Sequence, residues 1–195
     1  MGCVERRPCP QLPPCKGDSV LPAHVRPAGA APDAGAGRRL QVRSEHLVSG
    51  PRGLCVTATD FSPNAIARTR ARLGADGLHA TLRREPADRI EQPDASADLV
   101  ICVGVLDALG PETAARATAE IARVLAPGGR ALFAMATDRD FRLSDPVASA
   151  MIHGYSAADA DALMTPFSHV ERDTYETTHG AGATGQSDWL IKVTK

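Results

Sequence analysis

The pattern of apolar and polar residues changes abruptly near residue 53. Residues 1–53 hold eight prolines among Gly, Ala and Arg, and their apolar positions follow neither the spacing of a strand nor that of a helix. Such a stretch buries too little apolar surface to offset the entropy lost on ordering. We therefore predict an irregular or disordered tail over 1–53 and one domain over 54–195.

The domain begins with a predicted strand and helix. Residues 54–59 are β-branched and apolar, which is typical of a buried strand. Ser62 is a suitable N-cap with a proline directly after it, so we expect a helix over 63–73. Gly74 and Gly77 follow as its stop signals.

The middle of the domain continues this alternation. A short strand is predicted over 79–83, and the run DLVICVGV, which begins at Asp98, is typical of a central parallel strand. Apolar residues then recur at helical spacing, and PGG at 127–129 is expected to end that helix. The recurring positions are Ala114, Ala117, Ile121, Val124 and Leu125.

The C-terminal part predicts three more strands and a helix. RALFAMAT at 130–137 is a strand, and Ser156 can cap a helix that runs through Met164. HVERDTYE and DWLIKVTK are two strands joined by a Gly-rich loop, which favours an antiparallel pair. The predicted class is thus α/β: a Rossmann-like, mostly parallel sheet with helices on both faces and a C-terminal antiparallel strand pair. Ligands of such sheets bind at the carboxyl ends of the strands.

Composition excludes several functions. With 195 residues, a net charge of -1 and a pI near 6.6, the chain has no overall attraction to nucleic acid, which favours small-molecule chemistry. Five cysteines are an odd number and lack the paired spacing of zinc sites, so we predict neither a disulfide framework nor a metal. No apolar run is long enough to span a bilayer, and we expect a cytoplasmic protein without a membrane partner.

Four pieces of the sequence, in this order and spacing, resemble the class I methyltransferases that depend on S-adenosylmethionine (SAM). The pieces are VTATDFSPNAI, DASADLVICVGVLDAL, EIARVLAPGGRALFA and the closing two strands, which together cover roughly 54–195. The terminal antiparallel strand separates this family from nicotinamide-binding Rossmann domains. The resemblance implies SAM as the cofactor and a small molecule as the methyl acceptor.

Asp60 is the first residue to which the resemblance assigns a role. A carboxylate accepts two hydrogen bonds at once, and a ribose offers two adjacent hydroxyl donors, so an acid at a strand end suits a nucleoside. Phe61 could press against the adenine. The alternative for Asp60 is that it only caps the following helix, although Ser62 already offers that cap.

The glycine-rich loop of the family is the weakest part of the match. The family has a strand followed by acid-x-Gly-x-Gly, and the candidate here is DAGAG, with Gly35 and Gly37. No apolar run leads into it. These glycines are either a cofactor loop or a chance product of a Gly/Ala-rich segment.

Further candidates come from the ends of the later strands. Many relatives carry an acid after the third strand that receives the adenine amino group. Counting back from Asp98 by the family's usual interval places this position at Pro86. Glu85 and Asp88 flank it, and each is either the substitute or a solvated loop charge. Cys102 and Val103 are expected to line the cofactor site without doing chemistry.

No catalytic residue is assigned, because methyl transfer requires alignment of the reactants more than a general base. Asp107 either orients the acceptor or is solvated. His153 and Tyr155 lie in a segment that covers the substrate in many relatives, and they are either bases or surface polar groups.

The predicted function is SAM-dependent methyl transfer to a small molecule by in-line displacement. The alternative is a catalytically inactive methyltransferase-like scaffold, or a truncated product, that binds SAM poorly or not at all. A nicotinamide-dependent oxidoreductase is disfavoured because no GxGxxG follows a strand. The acceptor atom and the oligomeric state are left open.

Overall fold

A computed structural model describes residues 42–44, 56–179 and 184–195 of the chain. Among them, seven strands form one sheet in the order β3-β2-β1-β4-β5-β7-β6. The strands are β1 (Val42–Ser44), β2 (Thr57–Thr59), β3 (Thr81–Arg83), β4 (Ala97–Val103), β5 (Leu125–Ala136), β6 (His169–His179) and β7 (Thr184–Thr194).

Five of the seven described strands, β2 to β6, run in the same direction. Strand β2 pairs in parallel with β3, and β4 pairs in parallel with β5. Strand β1 is antiparallel to both β2 and β4, which aligns the two pairs with each other. At the other end, β7 is antiparallel to both β5 and β6. The predicted α/β class, with a mostly parallel sheet and a C-terminal antiparallel pair, is confirmed.

Strand β1 lies within residues 1–53, on the tail side of the predicted boundary. Its Val42 is opposite Thr59 of β2 and Cys102 of β4, so β1 begins where those two strands end. The rest of 1–53 lies outside the described residues. The boundary at residue 54 therefore stays a prediction.

Helix α1 (Pro63–Ala75) begins as the sequence indicates. The Ser62 hydroxyl accepts a hydrogen bond from the Ala65 backbone N–H at 3.3 Å, and proline occupies the first turn. The end is later than predicted, since Gly74 is still helical and Asp76 is the C-cap. Gly77, at φ +64°, then takes the left-handed conformation that turns the chain away.

Helix α2 (Pro111–Val124) buries the predicted apolar face against β5, but Leu125 already belongs to that strand. Pro127 explains the early stop, because its ring would clash with the carbonyl of the residue four positions earlier and disfavours a helical Ala126. The strand is therefore longer than predicted and includes the Pro-Gly-Gly sequence. Gly129 fits there because a Cβ would lie 2.8 Å from the Ala126 carbonyl oxygen.

The C-terminal elements agree with the sequence in type and order, although β6 and β7 extend into the predicted Gly-rich loop, to His179 and from Thr184. Between β5 and the last hairpin lie a 3₁₀ turn (Phe141–Ser144), helix α3 (Pro146–Ser149) and helix α4 (Ala157–Leu163). Ser156 caps α4 and forms a capping box with Asp159. The antiparallel β6–β7 pair is confirmed.

The core lies on one face of the central strands. Fully buried side chains of β4, β5 and β7 pack there with α2, and they include Cys102, Phe133, Ile121 and Ile191. None of the helices described is long and apolar enough to cross a membrane.

Candidate cofactor and acceptor site

The ends of β2 and β4 meet at one edge of the sheet, here called the carboxyl edge. Thr59 and Cys102 are both opposite Val42, so Asp60 and Val103 lie one residue further along at this edge. The structure thus brings together the predicted residues from two separate strands. Gly35 and Gly37 lie outside the described residues, and their role stays a prediction.

One carboxylate oxygen of Asp60 accepts a hydrogen bond, and the other has no hydrogen-bond partner. Oδ1 accepts a hydrogen bond from the Ser62 N–H at 2.8 Å, while Oδ2 is buried and has no hydrogen-bond partner. Burial raises the pKa of Asp60, although the Ser62 N–H and the charge of Arg68 oppose that rise. The helix cap is made by Ser62, so capping does not account for the free oxygen of Asp60.

Glu85 is also buried, which excludes the solvated alternative for this residue. Its side chain is 5 % exposed; Oε2 accepts the Glu91 N–H at 3.1 Å, and Oε1 has no partner. Its own N–H donates to the Asp60 carbonyl at 3.2 Å, so the two acids follow adjacent strands. Buried polar atoms nearly always have partners, so Asp60 Oδ2 and Glu85 Oε1 are both open to a hydrogen-bond donor at this edge.

Phe61 and Asp88 flank this pair in different ways. Phe61 directly follows Asp60 and is 53 % exposed, so its apolar ring is largely in contact with solvent. Asp88 is turned to Arg116 of α2, whose Nε donates to its Oδ2 at 3.2 Å. A surface ion pair of this kind contributes little stability, but it engages one oxygen of the Asp88 carboxylate.

Cys102 and Val103 differ in exposure although they are adjacent. The Cys102 thiol is completely buried, and burial together with the nearby Asp107 raises its pKa strongly, so it stays protonated and unreactive. Val103 is 48 % exposed at the carboxyl edge and offers an apolar contact.

A second group of charged residues lies where β4, β5 and β7 reach the same edge. Arg142 donates to Asp140 Oδ1 at 2.6 Å and to Asp188 Oδ1 at 3.0 Å, and Asp188 is opposite Ala136 at the end of β5. The Asp140 side chain is fully buried, and its Oδ2 also accepts the Ser187 N–H at 2.8 Å. Burial alone would raise the pKa of Asp140, but these hydrogen bonds outweigh it and lower the pKa.

Asp107 lies beside this group and is buried, so its solvated alternative is wrong. Burial is the main cause that raises its pKa; Asp188 adds to the rise, while Arg142 and backbone N–H groups, including that of Ala136, oppose it. Its carbonyl accepts the His153 N–H at 2.6 Å. This hydrogen bond connects the segment after β5 to the turn that follows β4.

Tyr155 and His153 have different surroundings. The Tyr155 hydroxyl is buried and donates to the Leu106 carbonyl at 2.9 Å, and burial raises its pKa to about 12. Trp189 Nε1 donates to the Tyr155 carbonyl at 2.8 Å, so Tyr155 connects the 3₁₀ turn after β4 (Leu106–Ala108) with strand β7. His153 is exposed, with its ring edge-on to Tyr155 at 4.6 Å between centroids.

The sequence did not indicate the Asp140–Arg142–Asp188 group. Asp140 and Arg142 are two positions apart, a spacing common in surface turns, and Asp188 follows 46 residues after Arg142. No local signal connects these distant positions. Only the pairing of β5 with β7 brings them together.

Comparisons with known proteins agree with this architecture. Residues 34–129, just under half of the chain, match the family model described as a methyltransferase domain. A comparison with curated proteins finds no match.

Several solved structures are similar. A SAM-dependent methyltransferase from Methanosarcina mazei is 18 % identical, with 71 % of this chain and 81 % of that one covered at a TM-score of 0.57. A possible histamine N-methyltransferase from Thermotoga maritima is 16 % identical over 70 % of this chain and 72 % of that one, at 0.54. The N-methyltransferase NodS from Bradyrhizobium japonicum, solved with S-adenosyl-L-homocysteine (SAH), is 19 % identical over 71 % and 65 %, at 0.52.

These findings show which proteins the chain is similar to. The predicted resemblance to the class I SAM-dependent methyltransferases is confirmed: residues 34–129 match the methyltransferase-domain model, and the fold is similar to that of solved SAM-dependent methyltransferases. SAM, the predicted cofactor, is the cofactor of this class.

Proposed function

We propose that the chain is an enzyme that transfers the methyl group of SAM to a small molecule. The observation that carries this proposal is the unpartnered, buried Oδ2 of Asp60 at the carboxyl edge. A ribose hydroxyl would satisfy that oxygen, while Oδ1 keeps its bond to the Ser62 N–H. SAM supplies an activated methyl group on a sulfonium centre, and the chain has to align the acceptor with it.

The remaining nucleoside contacts are assigned from their positions. Phe61 and Val103 are exposed apolar residues at the carboxyl edge, suited to the faces of an adenine. Cys102 is completely buried in the core, so it would support the end of β4 and not contact the adenine itself. Glu85, with its free Oε1, is better suited than Asp88 to receive an amino group, because Asp88 already binds Arg116. Gly35 and Gly37 would contribute backbone contacts from the segment that precedes β1.

The acceptor would lie at the ends of β4 and β5, next to Asp107 and the segment that follows β5. With a pKa of about 12, the buried Tyr155 is unsuited as a base at neutral pH. Where a proton has to leave the acceptor, His153 is better placed, because it is exposed at this edge. The overall charge of -1 supports a small molecule over a nucleic acid, and we propose a cytoplasmic location.

Isothermal titration with SAH tests this function directly. We expect saturable binding of one SAH per chain, followed by methyl transfer from labelled SAM when a panel of small amines, phenols and acids is supplied. The absence of binding heat at high micromolar SAH would contradict the enzyme proposal.

One observation favours a second candidate, an inactive scaffold. In the family the glycine loop follows the first strand, whereas here β1 runs the opposite way and the chain leaves it away from the carboxyl edge, since Ser44 is opposite Thr57. This direction of β1 differs from the family's first strand and supports the inactive alternative. The titration separates the two candidates, because a scaffold of this kind would bind SAH weakly or not at all.

A further inference from the structure

Strand β6 forms one end of the sheet, and no described strand pairs with its outer side. It is 11 residues long and pairs with β7 along its inner side from His169 to His179. Its Val170 is 38 % exposed and its Tyr175 is 58 % exposed. An open edge of this length presents a row of unpaired N–H and C=O groups that can accept another strand.

Two-fold symmetry limits how a second copy could pair with this edge. An axis perpendicular to the sheet makes the two β6 strands antiparallel and keeps the core faces on the same side. Side chains that lie opposite each other then point to the same face of the joined sheet. The residue on the axis lies opposite the same residue of the second copy. On the core face β6 carries Val170, Arg172, Thr174 and Glu176, because these alternate in register with Ile191 and its neighbours.

The charges of β6 select among the possible registers. Centring the pair on Arg172, Asp173 or Glu176 places like charges directly opposite each other, which is destabilising. Centring it on Thr174 places each Arg172 opposite Glu176 of the second copy, which makes two ion pairs. Centring it on Tyr175 makes no pair between an arginine and a carboxylate.

The side chains of this register are available. Arg172 is held by Asp161 of α4 at 3.0 Å and lies over the ring of Trp189 on the neighbouring strand β7, 4.5 Å from the ring centroid. A guanidinium has five donors, so it can bind a second carboxylate without releasing the first. Glu176 is exposed and supplies that carboxylate.

We propose that two copies of this chain associate through β6, antiparallel and centred on Thr174. The two seven-stranded sheets then form one continuous sheet, with Arg172 and Glu176 paired across the axis. This association does not depend on the proposed enzymatic function.

Disulfide trapping tests the register. In Thr174→Cys the two substituted residues face each other across the axis at about 5 Å between Cα atoms, within reach of a disulfide. Tyr175→Cys is the matched control, because residue 175 faces Asp173 of the other copy. Mild oxidation and peptide mapping should find the linkage at 174 and not at 175. No linkage at 174, or linkage at 175 instead, overturns the proposal.

Sedimentation of the untreated full chain tests the association itself. The expected mass is twice the 20.5 kDa of one chain. Glu176→Arg places two arginines opposite each other and should raise the dimer dissociation constant roughly tenfold. Glu112→Arg makes the same charge change on α2 and should leave that constant unchanged. A single-chain mass at every concentration, or equal effects of both variants, overturns the proposal.

Discussion

Asp60 has one oxygen that serves the fold and one that is free for the proposed ligand. One of its oxygens orders the turn before α1, and the other is buried without a partner. An orphaned buried oxygen costs about 1 to 3 kcal/mol. A hydroxyl of the proposed ligand that donates to this oxygen would recover that cost.

Replacing Asp60 by asparagine should weaken SAH binding. The amide oxygen can keep the Ser62 contact, but an NH₂ donor then faces the ribose hydroxyls in place of an acceptor. We expect the dissociation constant measured by calorimetry to rise roughly 10- to 100-fold. Ser62→Ala is the control: it removes the helix cap and should lower stability by about 1 kcal/mol while SAH binding is retained. Unchanged affinity in Asp60→Asn would remove Asp60 from the site.

Asp107 predicts a pH dependence of folding. Its pKa is raised in the folded state, so the folded chain holds this proton more tightly than the unfolded chain does. This group therefore lowers the stability of the native protein as pH rises from about the ordinary value of 3.8 through the raised pKa. Asp107→Asn removes this titrating carboxyl. The unfolding free energy of the variant minus that of the native chain should therefore increase with pH across this range and then become constant.

Denaturant titrations at several pH values measure that gain. Asp138→Asn, at an exposed position of the same edge, controls for the introduction of an amide. If the difference between Asp107→Asn and the native chain stays constant with pH, the carboxyl of Asp107 does not titrate as described.

At the scale of elements, the group around Arg142 joins the segment after β5 to strand β7. Asp140 is fully buried, so its charge relies on Arg142 and the Ser187 N–H. Breaking a buried ion pair by removing one partner costs more than the pair contributes, because the other charge is left uncompensated. The pairing thus fixes where this segment lies relative to the proposed acceptor.

Arg142→Met should therefore destabilise the protein by about 3 kcal/mol in chemical denaturation. Arg139→Met removes an exposed arginine three positions earlier and should change stability by less than about 0.5 kcal/mol. Equal stability of the two variants would show that the Asp140 charge is satisfied without Arg142.

The elements that the sequence predicted correctly are those with local signals. Ser62 and Ser156 cap their helices because a side chain and an N–H three residues away suffice for the bond. The burial of Glu85 and the Asp140–Asp188 connection depend on residues far apart in the chain, which no periodicity encodes. The direction of β1 was unpredictable for the same reason, since only its two neighbours define it.

At the scale of the whole molecule, cofactor binding should be visible as thermal stabilisation. A ligand present at one hundred times its dissociation constant adds about 2.7 kcal/mol, and for a chain of this size that raises Tm by roughly 5 to 10 °C. SAH is expected to produce this shift in differential scanning fluorimetry. A nicotinamide dinucleotide is the control and should produce none. An equal shift with both ligands would point to non-specific binding.

The shortness of β1 has a mechanical consequence. Among the strands described, β2 and β3 join the other four only through the three residues of β1. Two strands slide past each other most easily where few hydrogen bonds join them, so the described part of β1 is a weak connection between the proposed nucleoside-binding and acceptor-binding parts of the sheet. Small shifts in the pairing of β1 would change the distance between Asp60 and Asp107. They would thereby change the alignment of methyl donor and methyl acceptor on which a methyl transfer depends.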